Sequence, residues 1–235
     1  MNVPHLIFRP GVPALSPTYG SLGWSSVGIV VHGDDLLLLD TGGPGYRALW
    51  DQWLGELSAD RHDVTAVLLT HSHWDHLGAA PHFPNARYVM TAEEYAWAVT
   101  GGATSPYVDS VTVAHLRATG RLDLVAGGDQ VGPVEVLATP GHTPGHLSFA
   151  VTTADGRDVF AGDAIKDTRE LLTGVFAITQ DAAASETSRQ LLCDELFAGA
   201  RLLLGHSGTH PARGAENATV PLIAKEPFNV EMRQP

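Results

Sequence analysis

The 235-residue chain has one cysteine, Cys193. A single thiol closes no internal disulfide, so the fold has to rest on its core, and a reducing compartment is the expected setting. No run of about 18 apolar residues is present, which excludes an ordinary transmembrane helix. The start, Met1-Asn2-Val3-Pro4-His5-Leu6, lacks a basic stretch followed by a long apolar one. No secretory signal is therefore expected, and the simplest expectation is a cytoplasmic protein. Positive charge is also scarce. Fourteen Lys and Arg stand against 26 Asp and Glu, a formal net charge of −12. Nucleic-acid affinity leans on neutralising phosphates with basic side chains, so no nucleic-acid partner is expected. Acidic excess likewise discourages docking on an anionic membrane. Linkers and low-complexity tracts do not interrupt the middle of the chain, which favours one domain over 1–235. Its last stretch, 211–235, carries Pro211, Pro221, Pro227 and Pro235. That stretch reads as a wrapped tail or a partner-binding arm, with Ile223 and Phe228 as docking side chains. Small-molecule substrates are the expected partners, and a homo-oligomer is left open.

What the chain does contain is apolar surface and histidine. Hydrophobic residues make up 44% of it and charged ones 17%, enough for a sizeable core. The strand-like run Ala66-Val67-Leu68-Leu69-Thr70 ends in His71-Ser72-His73-Trp74-Asp75-His76. Four side chains able to bind metal thus fall within six residues. His71 and His73 are two apart, so in extended backbone they project to the same side. This string reads as a metal site. The same grammar recurs along the chain. Asp35 to Leu39 ends in Asp40-Thr41-Gly42-Gly43, and Val134 to Ala138 ends in Thr139-Pro140-Gly141-His142. Arg157 to Ala161 ends in Gly162-Asp163, and Arg201 to Leu204 ends in Gly205-His206. Short apolar runs bounded by turn residues read as buried strands. Each delivers a His or Asp where it stops, and a row of strands exposing such groups at one edge assembles a site from distant sequence.

In order and spacing these motifs resemble the metallo-β-lactamase-fold hydrolase superfamily, over nearly the whole chain. The resemblance implies that His71, His73 and His142 hold one metal ion, and that Asp75, His76 and His206 hold a second. Asp163 takes the position of the carboxylate that bridges both. Imidazoles and carboxylates suit zinc, and also iron or manganese, with no thiolate in the set. Two divalent ions about 3.5–4 Å apart share and acidify a water. The implied activity is hydrolysis of an ester, lactone or thioester carbonyl by a hydroxide shared between the metals. Asp75 would orient that hydroxide and act as general acid to the leaving group.

Asp163 is like the glyoxalase-II and lactonase branches, as is the segment Thr139-Pro140-Gly141-His142-Thr143-Pro144-Gly145-His146; a Cys or Ser there marks the true β-lactamases. Only 29 residues follow His206, too few for the helical C-terminal domain of glyoxalase II. Lactonases of this fold often place a Tyr after the bridging Asp, and none follows Asp163. Leu204-Gly205-His206-Ser207-Gly208 departs from the usual Pro-Gly-His-Gly, which leaves His210 as an alternative last ligand. Other activities stay in view: a phosphodiesterase or nuclease on the same centre, a β-lactamase-like amidase, or a mononuclear iron persulfide dioxygenase. A non-enzymatic metal store is the last.

Alternation of strands with helices implies an α/β fold, an αββα sandwich with strands inside and helices outside. Strands are expected at 6–9, 27–40, 87–90, 131–138, 146–152 and 158–161. Leu49, Trp50, Trp53, Leu54 and Leu57 predict an amphipathic helix over 46–57. A short helix is expected from His76, another over 92–99, and one over 185–197 with Ser185 as N-cap and Leu191, Leu192, Leu196 and Phe197 inward. Residues 101–128 read as Gly-rich and irregular. Asp40 is expected to orient a histidine ligand, or else to cap a turn. His146 reads as a satisfied histidine at a strand start, and His5, His32, His62, His82 and His115 as structural or solvated. Cys193 reads as a small apolar side chain. Trp74 would line the pocket mouth or serve packing. Two segments are candidates for shaping the pocket, Thr18 to Trp24 and Lys166 to Gln180. In the second, a cation would hold a substrate carboxylate or belong to an ordinary charged loop.

Overall fold

The Leu36–Leu39 run divides its side chains between two neighbours, and that division explains the architecture. Successive side chains on a strand point to opposite faces. In the computed structural model, which describes residues 3–12, 15–16, 20–21 and 23–210, Leu36 and Leu38 pack with Trp50, Leu54, Leu77, Val113 and Leu116. Leu37 and Leu39 pack instead with Val134, Val136, Leu147, Phe149 and Leu203. One face thus meets helices and the other meets a second sheet. The same split separates Val67 and Leu69 from Leu68, and Leu202 and Leu204 from Leu203. Strands buried on both faces read as continuous apolar runs, not alternating ones.

The strands are β1 (His5–Arg9), β2 (Leu15–Ser16), β3 (Gly20–Ser21), β4 (Val27–His32), β5 (Asp35–Leu39), β6 (Ala66–Leu68), β7 (Arg87–Thr91) and β8 (Leu122–Val125). They continue with β9 (Gln130–Val131), β10 (Val134–Ala138), β11 (Leu147–Thr153), β12 (Gly156–Gly162), β13 (Arg201–Leu204) and β14 (Thr209–His210). The helices are α1 (Arg47–Glu56), α2 (Trp74–Leu77), α3 (Ala92–Val99), α4 (Ser110–Ala118), α5 (Thr168–Thr173) and α6 (Ala182–Phe197). One six-stranded sheet has the order β1-β4-β5-β6-β7-β8, and the other β14-β13-β12-β11-β10-β9. Pairing is parallel from β5 through β8 and between β12 and β13. α1, α2, α3 and α4 cover the first sheet, while α5 and α6 pack on the second through Leu171 and Leu192. The layers are αββα, as the alternation implied. No helix of the described residues is long and apolar enough to cross a membrane.

Several local expectations change. Residues 101–128 are not irregular throughout: they contain α4 and β8. Val111, Thr112 and Val113 are weak helix formers, but Asp109 caps the helix by accepting from Thr112 N, and Val113 and Leu116 are buried. Capping and tertiary burial override propensity there. Strand 131–138 is a hairpin, β9 and β10, broken at Gly132-Pro133. α6 begins earlier than expected, because Asp181 is its N-cap and accepts from Ala183 N and Ala184 N. Its buried face runs through Ser185, Ser188 and Leu192, with Leu196 partly covered. Leu191 and Phe197 are exposed, Phe197 by 85%. The segment after Asp163 holds a helix, α5, capped by Asp167. Thr18, Tyr19 and Leu22 of the first pocket-shaping segment, and the tail at 211–235, lie outside the described residues.

Candidate metal centre

Parallel pairing sets the C-terminal ends of β5 and β6 at one edge of the first sheet. β10 and β12 both run antiparallel to β11, and β13 runs parallel to β12, so their ends also share an edge. Asp40 follows β5, Thr70 and His71 follow β6, and His142 follows β10. Asp163 follows β12 directly, and His206 lies two residues past β13. The fold brings all seven predicted site residues into three overlapping groups: His71, His73 and His142; His71, His76 and Asp163; and Asp75, His76 and His206. Within each, the candidate ligand atoms lie within 4.8 Å of one another. His210 is in none of these groups. It sits in β14, paired with Leu202.

Hydrogen bonds fix how the imidazoles of His71, His76 and His142 are presented. Thr70 Oγ1 donates to Asp40 Oδ2 at 2.7 Å, so at 2.9 Å it accepts from His71 Nδ1–H. His71 Nε2 is left with a lone pair and no partner, buried among the described atoms. His76 Nδ1 donates to Asp40 Oδ2 at 2.8 Å, which likewise leaves its Nε2 without a hydrogen-bond partner. His142 Nδ1 donates to the Ile178 carbonyl at 2.6 Å and turns Nε2 toward His73 Nδ1, 3.0 Å away. A carboxylate or carbonyl behind an imidazole, fixing its tautomer, is the usual support of a metal-ligating histidine.

Asp163 joins the two halves. Its Oδ1 lies 3.3 Å from His76 Nε2 and 3.2 Å from His206 Nε2. Its Oδ2 lies 3.3 Å from His142 Nε2. Asp75 Oδ2 stands 3.5 Å from His206 Nε2 and 3.9 Å from His76 Nε2.

Electrostatics separates the halves. Burial holds His71 and His142 well below the ordinary imidazole value and His73 down to about 3, so all three are neutral. Burial pulls His76 and His206 down too, but carboxylates outweigh it, with Asp163 foremost, and both end up raised. Burial pushes Asp163 up, and His206, His76 and His142 more than reverse it. Asp75 is raised, chiefly by burial. A divalent ion fits this donor set. Buried His71 Nε2, His76 Nε2 and Asp163 Oδ1 point into the cluster without hydrogen-bond partners, and such groups are costly unless something satisfies them. A cation would satisfy all three.

The other candidate residues also find places. Asp40 is fully buried and orients His76, so the turn-cap alternative is not the whole of its role. His146 is buried and satisfied, and it also serves the site: its Nε2 accepts from Asp163 N at 3.0 Å. Its Nδ1 meets Thr139 Oγ1 at 2.9 Å. His62 pairs with Asp60 and His82 with Asp51, outside the cluster. Trp74 lies against Gly43, where an added Cβ would be 3.1 Å from its ring. Cys193 is half-buried beside Arg189, with its thiol pushed up by burial. Lys166 Nζ lies 3.4 Å from the Asp163 carbonyl and 3.5 Å from Glu170 Oε1.

Sequence reading missed several supports. Ser25 Oγ donates to the Asp75 carbonyl, and Ser26 Oγ donates to the Leu204 carbonyl at 2.6 Å. Two adjacent serines thus tie the loops of Asp75 and His206 to the start of β4. Tyr107 sets its ring 5.9 Å from that of His73, and its carbonyl accepts from Trp74 N. The only sequence signal for the serines was polar residues next to a predicted strand, and Tyr107 had none. Ile178 carried none. Its φ of 55° is costly for a β-branched residue and places its carbonyl on His142.

YobT of Bacillus subtilis is 30% identical over 148 residues, 59% of this chain and 60% of that one. The N-acyl homoserine lactonase AttM of Agrobacterium fabrum is 35% identical over 101 residues, 40% of this chain and 38% of that one. The chain therefore spans less than two thirds of the length of these relatives. Among solved structures, a variant of AiiA from B. thuringiensis with N-decanoyl-L-homoserine bound superposes with a TM-score of 0.71 at 22% identity. That match covers 88% of this chain and 94% of the other, and shows the fold. The family model of the metallo-beta-lactamase superfamily matches residues 22–208, and the chain belongs to that superfamily.

Proposed function

We propose that the protein is a hydrolase that holds two divalent metal ions and opens the ester, lactone or thioester carbonyl of a small molecule. The observation that carries this reading is the Asp163 carboxylate. One oxygen is turned to His76 and His206 and the other to His142, so this carboxylate could serve an ion on either side. His71, His73 and His142 would hold one ion, and Asp75, His76 and His206 the other, with Asp163 on both. Zinc suits this set, and iron and manganese share its ligand preferences. When bound, such ions lower the pKa of water toward neutrality and polarise a carbonyl.

The chain supplies the rest. Asp40, Thr70 and the Ile178 carbonyl keep lone pairs aimed inward, so little reorganisation is needed at the moment of reaction. Asp75 would take a proton from the attacking water and return it to the leaving oxygen or sulfur. Lys166 places an ammonium at the edge of the cluster, where it attracts an anionic part of the substrate. Relatives named as lactonases support a carbonyl substrate. The net charge of −12 weighs against a polyphosphate.

The test is metal analysis of protein purified without added metal, followed by assay against lactones, aryl esters and thioesters. Two zinc, manganese or iron ions per chain with carbonyl hydrolysis is the expected result. One iron per chain, with oxygen consumed in the presence of persulfide, would overturn it.

A further inference from the structure

The three-histidine group is built from two loops that belong to different sheets. His71, Ser72 and His73 follow β6, whereas His142 to Gly145 lie between β10 and β11. For one ion to bind, the two loops must keep a fixed separation, yet β6 and β10 share no backbone ladder. Glu94, on α3, touches both. Its Oε1 accepts from Ser72 N at 2.8 Å and from Ser72 Oγ at 2.6 Å. Its Oε2 accepts from Gly145 N at 3.2 Å. The residue is 0% exposed.

A bland explanation is available and falls short. Thr91-Ala92-Glu93-Glu94 is spelled like a capping box, in which the Glu returns to the backbone N–H of the capping residue. Thr91 does cap α3, accepting from Glu94 N at 3.0 Å. The Glu94 oxygens go instead to Ser72 and Gly145. Thr91 Oγ1 also donates to the Gly145 carbonyl at 2.9 Å, so the start of α3 grips that glycine from both sides. A Cβ on Gly145 would lie 2.2 Å from Glu94 N. Burying a carboxylate is expensive unless it is fully hydrogen-bonded. An exposed helix end needs no such burial, but a clamp between two loops does.

We propose that Glu94 is a positioning residue for the three-histidine half of the centre, holding the His71–His73 loop and the His142 loop at the separation one divalent ion requires. This rests on the metal reading above. Glu94→Gln keeps the size but turns an amide NH2 toward one of the N–H donors, so one side of the clamp opens.

The experiment is zinc competition against a chromophoric chelator on metal-free wild-type, E94Q and E93Q protein, with circular dichroism to check folding. Glu93 is exposed and serves as the control. Wild type and E93Q are expected to bind two zinc ions. E94Q is expected to keep one tight ion and to hold the other about 10–100-fold more weakly, the usual cost of losing a support behind a ligand. Folded E94Q that binds both ions like wild type would overturn the inference. Wild type that binds none would instead overturn the metal reading, so the two failures are distinguishable. Should E94Q fail to fold, Ser72→Ala removes one of the three donors and leaves the backbone intact. A weakened ion in S72A supports the clamp, and two unchanged ions overturn it.

Discussion

Asp40 grips His76 across 36 residues, with Oδ2 2.8 Å from Nδ1. The aspartate sits at φ 57°, a left-handed conformation that Asp tolerates better than most residues. From there the same carboxylate also accepts from Thr70 N and Thr70 Oγ1, both at 2.7 Å. One buried charge thus orients His76 directly and His71 through Thr70. Asp40→Asn replaces an acceptor by a donor within this network. Zinc affinity is expected to fall about 10–100-fold while the chain stays folded. A chelator competition assay reads it, and unchanged affinity would show that the contact is ornamental.

His206 and His210 are four residues apart, but only His206 faces Asp163. His206→Ala should reduce bound zinc from two ions toward one. His210→Ala should leave the stoichiometry as it is. The reverse pattern, read by elemental analysis, would move the last ligand to His210.

The proposed function gives Asp75 two roles, ligand and proton carrier. Asp75→Asn keeps an oxygen but not the proton chemistry, so kcat is expected to fall about 10²-fold or more. Retention of full kcat would remove Asp75 from proton transfer.

Lys166 separates two readings of its segment. If its ammonium holds an anionic part of the substrate, Lys166→Met should raise KM about tenfold for esters carrying a carboxylate and leave uncharged aryl esters unaffected. Steady-state kinetics on matched pairs checks this. Equal KM values for both would assign the lysine to its contact with Glu170 alone.

In the metal-free protein His146 is held down to about 3, chiefly by burial, against an ordinary value of 6.5. Between those values the unfolded chain binds the extra proton. The stability this neutral histidine permits is therefore complete above about pH 6.5 and is lost as pH falls toward 3. His76 and His206, both raised, titrate in the opposite sense, but they are present in wild type and variant alike. His146→Gln should therefore lose less unfolding midpoint than wild type between pH 7 and 5, as thermal melts at several pH values would show. Parallel curves would contradict the burial argument.

The local sequence determined most of the strands, though not β8, and the motifs at their ends whose resemblance to a known family supplied the seven candidate ligands. A strand buried on both faces needs a continuous apolar run, and the chain must leave it through a turn, so both signals are local and visible in Leu36–Leu39, Val67–Leu69 and Leu202–Leu204. α4 was hidden because the burial of Val113 and Leu116 outweighs a run of weak helix formers. The supports of the site were hidden for a deeper reason. Glu94 reaches Ser72 over 22 residues and Gly145 over 51, and Ser26 reaches Leu204 over 178. No period or spacing encodes such pairs. Which carboxylate stands behind which imidazole, and that Ile178 gives up favourable backbone to present a carbonyl to His142, was decided only when the two sheets packed. The sheets fix the edge at which ligands emerge, but the aim of His76 and His142 is set by groups from elsewhere, brought within 3 Å when the sheets pack.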